Sequence, residues 1–438
     1  MAFASYLLFL AMSFIRPDAF APELAKHRPI AVLIAIALPL ALLAALKRKH
    51  WSARPAAFAT LTLLVLTAGV SVAVNGWIGG GFHAIGTFLP SALAGVLTML
   101  NITSWRRLRI AAAVIVWCMT GLTALSTYSF YTGYDAYRYV LQEYGSVTSS
   151  PEESFVPAQH LQDGVLFRIR SVGLLADPND FSQLMVVALA LLWGLHSRRG
   201  KLRDVPTLLV PSGILLWGLY LTHSRGALIG LGLAAMAGLW GTLGPTRSVV
   251  VLGMGGLLAK VLNFTGGREI SDAGASASHR IDYWNLGLHL TASHPLFGVG
   301  FGNFENANTM TGQTAHNTFM LCAAELGLIG LFLFTSLLLF SFRSVSIVIA
   351  GSADNPPVRR FATGLRAALV GFLGCAWFLS RTYDPLLYML LGLCLACAPA
   401  AGKAEPGKRP WVAATAIWAL LILVLLYAFV VGQRIAGH

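Results

Sequence analysis

The feature that most limits how this chain can fold is a series of long apolar runs along its whole length. Runs of about 17 to 25 apolar residues are long enough to cross the hydrocarbon core of a bilayer as helices. Because the first run, Phe3 to Ile15, is short for a span, the pattern predicts twelve or thirteen transmembrane helices. The sequence therefore predicts an all-α polytopic membrane protein, with residues 1–438 forming a single transmembrane domain. The runs begin near Ala2, Ile30, Pro55, Phe82, Ile110, Ser171, Val205, Gly226, Ser248, Asn317, Ala362, Pro385 and Trp411.

The charge distribution predicts how the chain is oriented. Hydrophobic residues make up 56% of the chain and charged residues 11%, whereas soluble domains are roughly a quarter charged. With connectors alternating between two faces, one face collects 19 of the 31 lysines and arginines but three of the 18 acids. By the positive-inside rule that face is cytoplasmic. The net charge of +13 thus records membrane orientation, and no nucleic-acid partner is expected. The basic groups are 47–50 with Arg54, 105–109, 197–203, Arg247, Arg343, Arg359, Arg360, Arg366 and 403–409.

The cysteines predict neither a disulfide nor a metal site. All five lie inside predicted spans, where an outer-face disulfide cannot form. Cys394 and Cys397 have CxxC spacing but lack a second ligand pair. We expect the cysteines to be packing residues.

Two long polar connectors fall on the outer face, at residues 131–167 and 265–316. The first begins in an aromatic group: Tyr128, Phe130, Tyr131, Tyr134, Tyr137 and Tyr139. The simpler interpretation is a belt of aromatic residues at the membrane interface. The alternative is a platform on which sugar rings stack, and both remain open.

The second connector contains an amphipathic segment. Ile281, Trp284 and Leu288 recur at helical spacing and form one apolar stripe. This predicts a helix lying on the membrane surface, with Arg280 at its beginning.

Two further outer-face positions are candidates for a site. Arg168 and Arg170 precede the turn Asp177-Pro178-Asn179, which is expected at membrane depth. Non-helical backbone at that depth is tolerated only where it is packed in protein or lines a cavity. The turn therefore predicts a broken or re-entrant helix, although pairing with lipid headgroups also accounts for the arginines.

In the turn before Gly226, Arg225 is a functional candidate because a partly buried cation at the membrane edge needs an anionic partner.

His316 and Asn317 are expected to cap the outer end of the next span. Glu325 lies nine residues later, half a helical turn out of phase with His316 and about 13 Å deeper. We expect Glu325 to be a structural hydrogen-bonding partner rather than part of a His-Glu pair.

Topology brings Arg170, Arg225, Arg280 and His316 to one side of the membrane. Guanidinium groups bind phosphate oxygens with two parallel hydrogen bonds, and histidine can take a proton from a hydroxyl near neutral pH. The sequence has no HExxH, GxSxG, P-loop or aspartate-rich metal motif. This combination predicts metal-free transfer from a diphosphate-linked donor. A transporter is the competing class, but transporters usually place polar residues at the midplane of paired repeats.

Four segments, in order, resemble the signature of the O-antigen ligase and O-antigen polymerase superfamily. The resemblance covers mainly residues 165–335. The segments are Arg170 with Gly173 and Pro178-Asn179; Ser224-Arg225-Gly226; Arg280 and Trp284 before His294–Gly300; and His316-Asn317 before Glu325 and Gly327.

The resemblance implies an inverting glycosyltransferase of the GT-C type that needs neither a metal nor a cofactor. The enzyme would lie in the cell inner membrane, and its active site and both long loops would face the periplasm. Its donor would be an undecaprenyl-diphosphate-linked glycan, and membrane lipid would surround its spans. Arg225 and Arg280 would hold the diphosphate, and His316 would activate the acceptor hydroxyl. Further substrate-binding candidates are Arg168, Arg170, Asn317, Trp284, Tyr134 and Tyr137. Among the members of the superfamily the chain most resembles ligases, whose acceptor is lipid A-core. A polymerase that extends a growing glycan is the alternative, and the protein-modifying branch, whose acceptor is serine or threonine, is less favoured.

Overall fold

The computed structural model describes residues 1–20, 22–47, 55–144, 156–159, 166–196, 204–261, 264, 270–403 and 411–435. Three of the basic connectors expected on the cytoplasmic face fall wholly or largely in the gaps, at 48–54, 197–203 and 404–410. Part of the 131–167 loop and the beginning of the 265–316 loop also lie outside the described residues.

The described chain consists of helices and one small sheet, which confirms the predicted all-α polytopic class apart from that sheet. Strands β1 (Val140–Tyr144) and β2 (Leu166–Ile169) pair antiparallel, with a register shift between Gln142 and Tyr144. The helices are α1 (Ala2–Ile15), α2 (Pro17–Phe20), α3 (Pro22–Ala25), α4 (Pro29–Leu46), α5 (Pro55–Val74), α6 (Ile78–Asn101), α7 (Trp105–Thr132), α8 (Ala136–Tyr139), α9 (Pro178–Leu195), α10 (Asp204–Leu221), α11 (Arg225–Val261), α12 (Ile270–Ser293), α13 (Phe304–Ala307), α14 (Thr318–Ala350), α15 (Pro356–Ala376), α16 (Pro385–Ala400) and α17 (Trp411–Ile435).

Within the described ranges, six helices are long and apolar enough to cross a membrane: α4, α5, α6, α7, α14 and Val412–Gly432 of α17. Shorter apolar helices cover Pro206–Leu221, Arg225–Gly241, Thr246–Leu257 and Pro385–Ala400. The chain is therefore a multi-pass membrane protein. Every predicted apolar run contains a helix, but α1 has 14 residues, and the count of twelve or thirteen spans stays a prediction.

The expected broken helix at Asp177-Pro178-Asn179 is wrong, and so is the expected beginning of that span near Ser171. The Asp177 side chain accepts a hydrogen bond from the Asn179 backbone N–H at 2.7 Å, and Pro178 is the first helical residue. An aspartate cap followed by proline is a standard way to begin a helix. The chain before it forms β2 and a short 3-10 helix, Gly173–Leu175.

The described residues form two compact units. The first comprises Met1–Leu40, Trp105–Gly267 and Val348–Cys375. In it α7 packs against α1, α9 and α10, and α9 packs against α10 and α11. Gly194 of α9 lies against Gly364 of α15 so closely that a Cβ on Gly364 would come within 2.6 Å of the Gly194 Cα. Small residues at such crossings allow membrane helices to approach.

The second unit comprises Ala41–Ser104, Arg268–Ile347 and Ala376–His438. Here α6 packs against α5 and α16, and α12 packs against α17. The buried Phe88 ring of α6 contacts Tyr388 of α16 and the loop residues Phe301 and Tyr383, with ring centroids 5.2 to 6.1 Å apart. The single-domain prediction and the membrane side of both loops stay predictions.

In the second unit α14 is broken at Gly327, whose φ of 67° and ψ of −167° are not helical. The loop His294–Gly300 pairs with the freed backbone groups, as helix breaks in membrane proteins require. Four backbone hydrogen bonds join them: Val299 N–H to Ala324 C=O (2.9 Å), Gly300 N–H to Glu325 C=O (3.1 Å), Leu328 N–H to Pro295 C=O (2.8 Å) and Ile329 N–H to Leu296 C=O (3.4 Å). Two segments of the quoted signature therefore hold each other in place.

Candidate active site

Arg225 is the first residue of α11 and is half-buried. The preceding turn ends in His223, which has a left-handed φ of 48°, and Ser224, whose Oγ accepts a hydrogen bond from the Ala227 N–H at 3.3 Å. A helix N-terminus carries partial positive charge and unpaired N–H groups that favour anions. Arg225 thus adds a full positive charge to the partial positive charge of the α11 N-terminus.

Arg168 is buried under this turn and donates hydrogen bonds to three protein groups. Its Nε donates to the Thr222 carbonyl at 2.6 Å, and its two terminal nitrogens donate to Glu143 Oε2 and to Asn179 Oδ1, both at 2.8 Å. Asn179 Oδ1 also accepts from Ser224 Oγ at 2.9 Å. The side chain is 4% exposed. Arg168 therefore ties β1, α9 and the Ser-Arg-Gly turn together, a role that the sequence did not indicate.

Arg170 follows β2 and is half-buried. One terminal nitrogen donates to the Tyr137 carbonyl at 2.7 Å, and its own carbonyl accepts from Ser126 Oγ at 2.7 Å. Among the described residues, its buried Nε has no hydrogen-bond partner. Fewer hydrogen bonds thus hold the Arg170 guanidinium than hold that of Arg168, and substrate contacts by either arginine stay predictions.

The predicted aromatic group divides into two kinds of residue. Phe130 and Tyr139 are buried, and burial raises the pKa of Tyr139 to about 12. Four of the tyrosines remain exposed: Tyr128, Tyr131, Tyr134 and Tyr137. Tyr134 and Tyr137 line a cavity of about 690 Å³ together with Gly133, Asp135, Ala136, Val140, Gln142 and Phe167.

His316 and Asn317 precede α14 in the second unit. His316 is half-buried, has a left-handed φ of 47°, and its ring centroid lies 6.0 Å from that of Tyr283. Asn317 is the predicted cap: its Oδ1 accepts from the Phe319 and Met320 N–H groups at 2.9 Å, and its Nδ2 donates to the Trp377 carbonyl at 2.9 Å. The cap role is confirmed, whereas a substrate contact by Asn317 stays a prediction.

Arg280 and Trp284 lie inside α12. The helix begins at Ile270, so the expectation that Arg280 opens it is wrong. Trp284 is 1% exposed, donates from Nε1 to the Ala315 carbonyl at 3.0 Å, and lies 5.0 Å from the Phe429 ring of α17. Trp284, in the middle of the apolar stripe, is thus a core residue that packs on protein. A substrate contact by Trp284 and the position of α12 at the membrane surface stay predictions. Arg280 is half-buried.

Glu325 is the structural hydrogen-bonding partner that its helical phase predicted. Its carboxylate accepts from the Phe304 N–H at 3.1 Å and from the Tyr383 hydroxyl at 2.8 Å. Burial raises the pKa of Tyr383 well above its ordinary value, so the hydroxyl stays protonated and donates. The Tyr383 contact was missed because 58 residues separate it from Glu325 in the chain.

A second cavity, of about 290 Å³, lies beside α12 in the second unit. Its polar lining includes Asp282, Asn285 and His289 from α12 and Asn308 from the facing loop. Tyr283 also lines it, so the cavity shares one residue with the surroundings of His316.

The predicted site residues divide between the two units. Tyr134, Tyr137, Arg168, Arg170 and Arg225 belong to the first, where Arg168 is joined to the Arg225 turn and Arg170 to Tyr137. The others belong to the second unit: Arg280, Trp284, His316 and Asn317. Their assembly into one site stays a prediction. In the part of the chain that the structure describes, no three histidine, cysteine, aspartate or glutamate side chains cluster as metal ligands would.

Comparison with known proteins identifies a family that part of the chain resembles. Residues 210–335 match a family model described as O-antigen ligase. This segment includes Arg225, Arg280 and His316 together with three of the four quoted signature segments, and it confirms the resemblance. No curated protein matches the chain.

Proposed function

We propose that this chain, whose residues 210–335 match the O-antigen ligase family model, transfers an O-antigen glycan from undecaprenyl diphosphate to a sugar hydroxyl of lipid A-core. Two observations support the proposal: the matched family is of the ligase and polymerase kind, which transfers lipid-linked glycans, and the chain has several helices long enough to span a membrane. We place the reaction on the periplasmic face of the inner membrane, where the acid-rich outer connectors would lie.

The observation that carries the proposal is the position of Arg225 at the first residue of α11, inside the matched segment. A guanidinium at a helix N-terminus is well suited to a diphosphate, because charge and unpaired N–H groups act together. We assign the donor diphosphate to Arg225 and Arg280, with Arg170 as a helper.

In the proposed reaction, the acceptor oxygen attacks C1 of the donor sugar. The bond from C1 to the phosphate oxygen breaks, and its electron pair leaves with undecaprenyl diphosphate, so that the configuration at C1 inverts. The acceptor proton passes to the His316 imidazole and then to water. The arginines balance the negative charge that grows on the leaving diphosphate.

Metal independence is part of the proposal, because the guanidinium groups supply the positive charge that a divalent cation would otherwise supply. An excess of EDTA should leave the rate of glycan transfer unchanged in purified protein. A loss of rate that Mg²⁺ or Mn²⁺ restores would contradict this part of the proposal.

His316→Ala should lower kcat about 100-fold or more, since a positioned acid or base contributes that much. The measurement is glycan transfer by purified protein in liposomes, with the thermal unfolding midpoint as a check on folding. The matched control is His83→Ala, which removes an exposed histidine of α6. Turnover near that of the control would remove His316 from the mechanism.

The acceptor is tested by supplying an undecaprenyl-diphosphate-linked glycan with lipid A-core or with no added acceptor. A ligase increases the mass of lipid A-core, whereas a polymerase lengthens the lipid-linked glycan itself. Elongation without transfer to lipid A-core would replace the ligase assignment by the polymerase alternative.

A further inference from the structure

The cavity beside the outer end of α7 has the size and lining of a ligand site. Its volume of about 690 Å³ falls within the range of about 300 to 1,000 Å³ that is usual for small-molecule pockets. The described lining residues belong to the first unit and lie on three pieces of chain: the segment 133–137 after α7, β1, and β2.

Its lining combines aromatic rings with hydrogen-bonding groups. The Tyr134 side chain is 58% exposed and that of Tyr137 is 70% exposed. Asp135 and Gln142 add a carboxylate and an amide, which together donate and accept hydrogen bonds. Sugar rings have apolar faces and hydroxyl edges, so rings beside planar polar groups are the complement that a carbohydrate needs.

Contacts with Arg138 hold one of these rings in place. The Arg138 Nε donates to the Tyr137 hydroxyl at 2.9 Å and lies 3.4 Å from Asp135 Oδ2, and its guanidinium carbon lies 5.4 Å from the Tyr137 ring centroid. A tyrosine that is fixed before a ligand arrives loses little conformational entropy on binding. An interfacial belt needs no such contacts, because its rings only have to lie at the level of the headgroups.

The cavity is joined directly to Arg170. The Arg170 guanidinium donates to the carbonyl of Tyr137, a lining residue, at 2.7 Å. In a lipid-diphosphate donor the first sugar is bonded to the diphosphate itself. A sugar subsite next to an arginine of the diphosphate site is therefore where the donor glycan must begin.

We infer that this cavity binds the first sugars of the donor glycan while Arg170 contacts the adjoining diphosphate. The inference rests on the proposed function. It assigns the Tyr134 and Tyr137 rings to stacking and Asp135 and Gln142 to the sugar hydroxyls.

The test is a binding titration of the full-length protein in nanodiscs with two probes: undecaprenyl diphosphate, and the same lipid carrying an N-acetylglucosamine-initiated tetrasaccharide. The wild type should bind the tetrasaccharide probe more tightly. Tyr134→Ala and Tyr137→Ala should each raise its Kd about three- to tenfold, which corresponds to the loss of one aromatic contact. The Kd for undecaprenyl diphosphate should not change, and Tyr134→Phe should bind both probes as the wild type does.

The matched control is Tyr131→Ala, which removes an exposed tyrosine of the same helix end that does not line the cavity. If all three alanine variants weaken both probes equally, the tyrosines are an interfacial belt and the inference is overturned. It is also overturned if no variant affects the tetrasaccharide probe.

Failure of the proposed function would look different. If the wild type binds the tetrasaccharide probe through these tyrosines but never transfers a glycan, the sugar site is supported and the proposed reaction is contradicted. A wild type that transfers glycan while the variants bind normally keeps the reaction and loses the subsite.

Discussion

The buried guanidinium of Arg168 binds three partners at once, and these partners hold the turn that carries Arg225. The Thr222 carbonyl lies three residues before Arg225, and Asn179 is shared between Arg168 and Ser224. Removing one member of such a network leaves a buried polar group unpaired. At the scale of single residues, Arg168 thus stabilises the turn from which α11 and Arg225 begin.

Arg168→Ala should destabilise the protein by roughly 3 to 5 kcal/mol, because Glu143 loses its cation and the Thr222 carbonyl its donor. The measurement is the thermal unfolding midpoint in detergent, together with the Kd for undecaprenyl diphosphate. Arg109→Ala, at an exposed arginine of α7, is the control. An unfolding midpoint equal to that of the control would show that the network contributes little to stability.

Arg225→Lys and Arg280→Lys should each lose most glycan transfer, since an ammonium group is a point charge that does not reproduce the paired donors of a guanidinium. The loss is measured as kcat/KM for the lipid-diphosphate donor. Arg247→Lys is the matched control, because Arg247 is exposed and lies beyond Gly244, whose φ of 76° and ψ of 171° interrupt α11. Full activity in both lysine variants would argue against bidentate phosphate binding.

At the scale of elements, the break in α14 and the loop that fills it form one structure. A Cβ on Gly298 would overlap the Ala324 and Glu325 backbone, and a Cβ on Gly327 would overlap that of Leu296 and Phe297. Both glycines also have left-handed φ values of 67°. The break in α14 therefore holds the loop 294–304 against the helix. Glu325 accepts a hydrogen bond from the N–H of Phe304 at the end of that loop.

Gly327→Ala should lower the unfolding midpoint and the activity together, because both the backbone angle and the close contact oppose a side chain. Strain of this kind costs about 1 to 3 kcal/mol for each unfavourable feature. Gly86→Ala is the control in the same unit, since nothing lies within 4 Å of a Cβ on Gly86. Normal stability of Gly327→Ala would mean that the loop and α14 can separate at little cost.

At the scale of the whole molecule, the charge asymmetry predicts which connectors face the cytoplasm. Asp354, between α14 and α15, belongs to the basic face, and Asn306 belongs to the outer loop; both are exposed. A membrane-impermeant maleimide should label Asn306→Cys in intact spheroplasts, and Asp354→Cys after the membrane is permeabilised. The wild type is the control, because four of its five cysteines are buried and Cys118 is half-buried. Reversed labelling would reverse the orientation and move the proposed site to the cytoplasm.

The sequence by itself determined the membrane class, the positions of the apolar helices and the resemblance to O-antigen ligases, which a family model matches at residues 210–335. These properties depend on local composition and order: an apolar run of sufficient length is helical in lipid whatever it packs against. The helix cap formed by Asn317 and the structural role of Glu325 could also be predicted from the sequence, since both depend on spacing within one helix. The beginning of α9 was misjudged because Asp177-Pro178-Asn179 is a helix start and not a break.

Only the tertiary structure decided which polar side chains hydrogen bond within the fold. Arg168 and Arg170 are two residues apart and look alike in sequence, yet the Arg168 guanidinium binds Glu143, Asn179 and Thr222, while the buried Nε of Arg170 has no hydrogen-bond partner among the described residues. The tyrosines likewise divide into buried and exposed. Such differences arise from contacts between residues distant in the chain, and hydrogen bonds of that kind leave no periodic pattern in the sequence.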